Sequence, residues 1–298
     1  ASVAREQARF ALQASGRHEG VRHFYAELVP SIAALDSAAF GQPRSIANLV
    51  TQKLDELEAY YKDRQADWAG ILNAAVVLFS NIGEPEEVLK TSIKYRDVLV
   101  RTRADPVRVA EAHVSAGRNA MVLGRLGDSE TFLRDGLAWV PASRDATDEG
   151  LRMHLILAAD LGVVLARSGQ RAEAKHVLER ARELASARLP GDQGQAILML
   201  HSGRFELGHD NQAALVSLEQ AQRLFAASPE TESTEMSASR HYLGTVYLEL
   251  GRLDEAETQL RSAHAMFTQQ YGRTDYDTLA ALGSLALASA RRERYAAA

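Results

Sequence analysis

The chain of 298 residues contains no cysteine. This absence excludes disulfide bonds, thiolate metal ligands and cysteine nucleophiles. It also suits an oxidising compartment, in which stray thiols mispair. With 7 proline and 20 glycine residues, the chain has too little of either for a disordered protein or a turn-rich all-β fold. We therefore expect an ordered protein that is held together by packing alone.

Long apolar runs are also missing. No run approaches the ~18 residues that a membrane span needs, and no signal peptide is visible. The net charge of −5 leaves no basic footprint for nucleic acid. Helix formers such as Ala, Leu, Glu, Arg and Gln are abundant, and no window alternates polar and apolar residues with period two. The sequence therefore predicts an all-α fold.

The motifs that carry catalysis or bind metals are absent as well. The sequence has no His-Glu-x-x-His pair and no Gly-x-Ser-x-Gly elbow. The stretch Gly117–Glu130 is rich in glycine, but it lacks the Lys-Ser/Thr of a phosphate loop and follows no strand. His201 and His209 bracket a predicted turn and are interpreted as partly exposed surface histidines. We predict no catalytic residue, no metal site and no cofactor.

What is present is a repeated pattern of small and large residues, clearest in Leu243–His264. A small residue is followed by a large one, a loop glycine, an alanine, a leucine and another small residue. Self-similarity of this kind, here with a period of about 40–45 residues, indicates stacked repeats. A degenerate copy begins at Ala75 and Val76. The later copies are centred on Gly117, Gly162, Ser202, Gly244 and Ala286.

This spacing resembles the tetratricopeptide repeat, a helix–turn–helix unit, over residues 66–298. The resemblance implies an α-α superhelix of about five helix pairs with a C-terminal capping helix. Small residues let paired helices approach, and large residues fill the space around the crossing. All seven prolines are expected between helices or at a helix start, and Trp139 is expected in the core.

Residues 1–65 form an N-terminal helical segment that is expected to pack on this solenoid. Their pattern predicts a helix over residues 1–28, a loop over 31–43 and a second helix over 44–63. These residues do not carry the repeat.

The order of the N-terminal segments carries a second resemblance. An Ala-Arg-Glu-Gln-Ala-Arg segment at residues 4–9 and a Ser-Ile-x-x-Leu segment at 45–49 precede the repeats. This order resembles the C-terminal half of certain membrane-anchored bacterial serine/threonine protein kinases. The resemblance implies a periplasmic sensor region that follows a transmembrane helix. The kinase motifs themselves do not occur in this sequence.

In the tetratricopeptide family, defined positions of each first helix face a concave groove. The matching residues of this chain form a mixed surface, apolar in the middle with Asn73, Arg118 and Arg167 as polar handles. The carboxylate clamp of chaperone-binding repeats is not reproduced. The candidates for binding a partner are Asn73, Asn81, Arg118, Met121, Val163, Arg167, Met199, Glu206, His241, Thr245 and Glu249.

The sequence thus predicts a non-catalytic sensory or interaction domain whose partner is a protein or a peptide, not a nucleic acid. Contact with a membrane is expected only through an anchor upstream of Ala1, and a homodimer is compatible with this organisation. We expect a periplasmic location. The alternative is the repeat sensor of a cytoplasmic transcriptional regulator, or a free-standing adaptor built from the same repeats.

Overall fold

The computed structural model describes residues 19–37, 43–227, 234–272 and 276–296, and the segment at residues 4–9 lies outside them. These described ranges contain helices and no strand, which confirms the predicted all-α class. In chain order the helices are α1 (Glu19–Ser37), α2 (Pro43–Tyr60), α3 (Gln65–Asn81), α4 (Pro85–Arg101), α5 (Pro106–Val122), α6 (Leu126–Trp139), α7 (Asp148–Arg167), α8 (Arg171–Arg188), α9 (Gln193–Glu206), α10 (Asn211–Ala227), α11 (Thr234–Glu249), α12 (Leu253–Tyr271) and α13 (Tyr276–Ala296).

The helices are packed into two compact units, Ala1–Val140 and Pro141–Ala298. In the first unit α1 packs on α2 and α3, and the pairs α3/α4 and α5/α6 follow. In the second unit the pairs are α7/α8, α9/α10 and α11/α12, and α13 packs on α12. First helices of successive pairs also touch, as α7 does with α9 and α9 with α11. The described helices thus form five pairs, preceded by α1 and α2 and followed by the single helix α13, as the sequence predicted.

One contact recurs inside the helix pairs: a leucine of the second helix lies directly over a glycine of the first. A Cβ atom added to Gly162 would come within 2.7 Å of Cγ and Cδ2 of Leu178. Carbon atoms pack at about 3.5–4.0 Å, so any side chain here would force the two helices apart. The same contact joins Gly117 to Leu133, Gly203 to Leu218 and Gly244 to Leu260.

The turn after the first helix is also repeated. Gly169 closes α7 with φ of 80°, in the left-handed region that glycine occupies without strain. The next residue, Gln170, donates its N–H to the carbonyl of Leu165 at 2.8 Å, which closes the end of the helix. The turns at Gly83, Gly124 and Gly251 have the same sign of φ and the same hydrogen bond.

The fourth pair corrects the predicted register by one residue. The sequence pattern was anchored on Ser202, but Leu218 lies over Gly203. One residue fewer separates Gly203 from Leu218 than separates Gly162 from Leu178. The turn explains this difference, because His209 and Asp210 both donate their N–H groups to the carbonyl of Glu206. This turn is therefore built differently from the other four.

The N-terminal helices correct two further predictions, the loop over residues 31–43 and the placement of every proline between helices or at a helix start. Helix α1 continues through Pro30 to Ser37, so the predicted loop over residues 31–43 is wrong for residues 31–37. Pro30 has no N–H to donate and usually ends a helix. Leu28 and Ile32 are fully buried on either side of it. Tertiary packing of this apolar face accounts for the helix that crosses the proline.

The two tryptophans have opposite environments. Trp68, in α3, is 3% exposed and belongs to the core of the first unit. Trp139 was expected in the core but is 38% exposed. Helix α6 ends at Trp139, and the next residue, Val140, takes the buried position instead.

The leucine-over-glycine contact can be tested with Gly162→Ala. The added methyl group clashes with Leu178, so we expect the free energy of unfolding to fall by about 1–3 kcal/mol, as in other overpacked cores. Urea unfolding measures the change.

Gly127→Ala is the matched control, because Gly127 is also helical and a Cβ there meets nothing within 4 Å. Alanine is the better helix former by about 1 kcal/mol, so this variant should be as stable as the parent or more so. Equal stability of the Gly162 and Gly127 variants would contradict the proposed role of the contact.

Candidate peptide-binding surface

The first unit presents an exposed stripe along α3. Asn73, Val77, Ser80 and Asn81 follow helical spacing and all are exposed, with Val77 at 50%. Ser80 donates its hydroxyl to the carbonyl of Val76 at 2.9 Å. The carboxamides of Asn73 and Asn81 make no hydrogen bond with any described residue. The stripe therefore offers two unengaged amide groups on either side of an apolar centre.

The first helix of the next pair, α5, carries the equivalent stripe. Arg118 and Met121 are half-buried, and Val122 is 68% exposed at the end of the helix. Beside Arg118, Asn119 donates its amide to the carbonyl of Ser115 at 2.9 Å. The two helices carry exposed valines and carboxamides, and α5 carries the half-buried guanidinium of Arg118. We call Asn73, Val77, Asn81, Arg118 and Val122 the α3–α5 surface.

The equivalent positions of the second unit are largely closed. Val163 is 7% exposed and Met199 is 2% exposed, although both were predicted to face a partner. Their side chains belong to the core, because α9 is packed against four neighbouring helices, α7, α8, α10 and α11. Arg167, at the end of α7, is exposed and forms no ion pair with the described residues. Of the predicted residues on α7, Arg167 alone therefore remains accessible.

The corrected register of the fourth pair identifies a residue that the sequence analysis missed. Arg204 follows Gly203 as Arg118 follows Gly117, and it is half-buried. Its guanidinium carbon lies 4.7 Å from the centre of the Tyr242 ring, a cation–π distance. The signal in the sequence was Gly203, which directly follows the Ser202 on which the predicted fourth copy is centred. Glu206, a predicted candidate, instead pairs with Arg171 at 3.3 Å.

The last helix, α13, engages two of the predicted residues of α11. His241 Nε2 lies 3.1 Å from the hydroxyl of Ser284, and the carboxylate of Glu249 lies 3.7 Å from Arg291. Thr245 donates its hydroxyl to the carbonyl of His241 at 3.0 Å. These three candidates are therefore occupied by contacts within the unit. Among the predicted residues, Asn73, Asn81 and Arg167 are exposed and form no ion pair with the described residues, and Arg118 and Met121 are half-buried.

A buried ionisable pair was also missed. His201 is 6% exposed and Asp160 is 2% exposed, with 3.5 Å between Nε2 and Oδ1. His201 is thus not the surface residue that its position near a turn suggested. Both residues lie on first helices, α9 and α7, which pack together. Within the ranges that the structure describes, no group of three His, Asp or Glu residues is placed to hold a metal ion.

None of the described helices combines the length and the hydropathy that crossing a bilayer requires.

Helix pairs with these turns and contacts define a helical-repeat protein. Residues 234–298, which contain α11 to α13, match a family model described as Tetratricopeptide repeat. The family match thus covers the last repeats, and the preceding helix pairs resemble them in their turns and leucine-over-glycine contacts. A search of curated proteins finds no match to the chain.

Solved structures with a similar fold include BtubC (BKLC) from P. vanneervenii, with a TM-score of 0.52 and 17% identity over 78% of this chain and 91% of that chain. The apo form of the quorum sensor NprR from B. thuringiensis has a TM-score of 0.56 and 13% identity, covering 99% of this chain and 81% of that chain. NprR in complex with its cognate peptide NprX has a TM-score of 0.55 and 13% identity, with 99% and 83% covered. At these identities the likeness is one of fold.

The environment of His241 leads to a prediction about pH. Burial, and then the charge of Arg204, hold the pKa of His241 below its ordinary value of 6.5. Between 6.5 and the lowered value, the unfolded chain binds a proton that the folded chain does not. Stability should therefore fall as the pH drops through this window, and the loss should level off below the folded pKa.

His241→Gln removes the titrating ring and keeps a donor for Ser284. We expect its free energy of unfolding to depend less on pH between 7.5 and 5 than that of the parent chain. Urea unfolding at several pH values measures both slopes. The remaining slope should include His113, because burial and then Arg96 also hold its pKa low. Identical slopes would rule out the stated role of His241.

Proposed function

We propose that this chain is a non-catalytic recognition domain that binds an extended peptide segment at the α3–α5 surface. The observation that carries the proposal is the pair of exposed carboxamides, Asn73 and Asn81, on one stripe of α3. A carboxamide has two N–H donors and a carbonyl acceptor, so it can pair with both polar groups of a peptide unit. Two of them on one helix face suit a partner whose backbone is extended.

The neighbouring side chains support the same class of partner. Val77 and Val122 are 50% and 68% exposed, so an apolar side chain of the peptide would cover surface that water now covers. Arg118 adds a guanidinium that can bind a carboxylate through two hydrogen bonds. Apolar contacts with a few polar groups are the usual means by which peptides are recognised. A peptide with one acidic residue beside an apolar residue fits this surface.

The similarity in fold to a quorum sensor whose complex with a cognate peptide is solved supports a peptide partner. It supports only the class of ligand, because the likeness is one of fold and says nothing about the individual residues of the α3–α5 surface.

Binding is tested by panning a phage-displayed library of random peptides against the chain and measuring the selected peptides by fluorescence anisotropy. Each lost hydrogen bond weakens binding by about 0.5–1.5 kcal/mol, which is roughly a twofold to tenfold change in dissociation constant. We therefore expect Asn73→Ala and Asn81→Ala each to weaken binding by that factor. Arg118→Glu should weaken acidic peptides most.

Two control variants match these changes. Asn48→Ala alters an exposed asparagine on α2, and Arg182→Glu reverses an exposed arginine on α8. Both should bind the selected peptides like the parent. Peptides that are unaffected by all three test variants would contradict the site.

We propose further that the chain is the periplasmic sensor part of a bacterial serine/threonine kinase signalling protein. The order of the N-terminal segments and the absence of cysteine support this assignment. A peptide bound at the α3–α5 surface would then be a signal from outside the cytoplasm. The similarity to a quorum sensor favours a second candidate, the sensor region of a cytoplasmic regulator.

The coding sequence upstream of Ala1 separates these two candidates. The kinase assignment predicts a protein kinase domain followed by one transmembrane helix. It also predicts that alkaline phosphatase, fused to the C-terminus of the full-length protein, is active in the periplasm. A DNA-binding domain upstream, together with an inactive fusion, would overturn the kinase assignment and favour the regulator.

A further inference from the structure

Helix α13 has an uncharged face that no described residue covers. Leu279, Leu282 and Leu287 are 51%, 44% and 47% exposed. Gly283, Ala286 and Ala290 are exposed beside them, at the three- and four-residue spacing that places all six on one side of the helix. Large apolar side chains exposed as a continuous stripe mark an interaction site more often than a bare surface.

The opposite side of α13 is fixed in the second unit, which determines where this stripe points. Thr278, Ala281 and Ala288 are buried, and α13 packs along α12. Arg291 donates to the carbonyl of Leu248 at 3.0 Å. Rotation of α13 to hide its leucines would break these contacts. The stripe therefore faces away from the unit.

The stripe continues an interface that the other repeats complete. In the repeat register, Ala286 occupies the position of Gly244, over which Leu260 of the antiparallel helix α12 packs. A Cβ atom added to Gly283, one turn earlier, meets nothing within 4 Å. The small residues Gly283 and Ala286 leave room for another helix to approach α13, and no described residue fills that space. An occupant that fits is an antiparallel helix that sets small residues against this space and large apolar residues beside it.

The stripe itself meets this requirement when it is read in reverse. An antiparallel copy of α13 with its two-fold axis between Ser284 and Leu285 places Leu282 against Leu287 of the other copy. It also places Gly283 against Ala286, so two small residues meet at the centre where the helix axes are closest. The remaining pair, Leu279 and Ala290, sets a large residue against a small one. A self-complementary patch is what a two-fold interface needs.

We propose that this face of α13 binds the same face of a second copy of the chain, antiparallel and with a two-fold axis. One helix from each copy buries an area at the lower end of specific interfaces. The dimer should therefore dissociate on dilution. The interface uses neither α3 nor α5, so it does not depend on the proposed peptide site.

Sedimentation equilibrium of the whole chain tests the dimer. The weight-average mass should rise from 32.6 kDa toward twice that value as the concentration increases from about 1 µM to about 1 mM. Leu282→Glu places two carboxylates in the interface and should remain monomeric throughout. Val216→Glu is the control, because Val216 is 55% exposed on α10 and should dimerise like the parent. Parent chains that stay monomeric at every concentration overturn the proposal, as does a Leu282→Glu variant that still dimerises.

The absence of cysteine allows a test of the register. A disulfide needs Cα atoms within about 7 Å, so in the antiparallel dimer a cysteine at 283 reaches one at 286 of the other copy. A mixture of the Gly283→Cys and Ala286→Cys variants should therefore form a crosslinked dimer under mild oxidation. Each variant alone should crosslink several-fold more slowly. Faster crosslinking of either variant with itself would indicate a parallel arrangement and would overturn the proposed register.

Discussion

A leucine of one helix lies over a glycine of its partner, and this contact sets the geometry of the helix pairs. At Gly162 and its three equivalents the second helix approaches so closely that no side chain fits beneath the leucine. This approach fixes the distance within a pair, and the glycine turns fix where the first helix ends. A helix pair of this kind leaves apolar surface that only another pair can cover, which is the reason for stacking.

The same constraint separates packing positions from positions that can differ. The residue that follows each glycine is Arg118, Val163, Arg204 or Thr245, which share no size or charge. In the first unit this residue is Arg118, which is half-buried. In the second unit α9 is enclosed and α13 lies along α11, so Val163 is buried and neighbours such as His241 are engaged. One repeat pattern therefore leaves exposed side chains on α3 in the first unit, while the equivalent positions of the second unit are largely buried or engaged.

The helix pairs could be predicted from the sequence, because small and large residues at fixed spacing allow paired helices to pack closely. The prediction was wrong where the turn geometry or tertiary packing overrode a local sequence signal. The turn near Gly208 is built differently and shifted the fourth register by one residue. Pro30 lies inside a helix because Leu28 and Ile32 are held in the core. The pairing of His201 with Asp160 joins residues on different helices, which periodicity along one helix does not reveal. The exposure of each site residue likewise depends on which helices pack against it, and periodicity along one helix does not reveal this.

We propose that recognition occurs on the first helices, between the packing positions. Hydrogen–deuterium exchange of the chain with and without a selected peptide tests this proposal. The peptide should slow exchange in α3 and α5, because their exposed stripes become covered, while α4 and α6 exchange as before. Protection centred on α4 and α6, or protection only in the second unit, would contradict it.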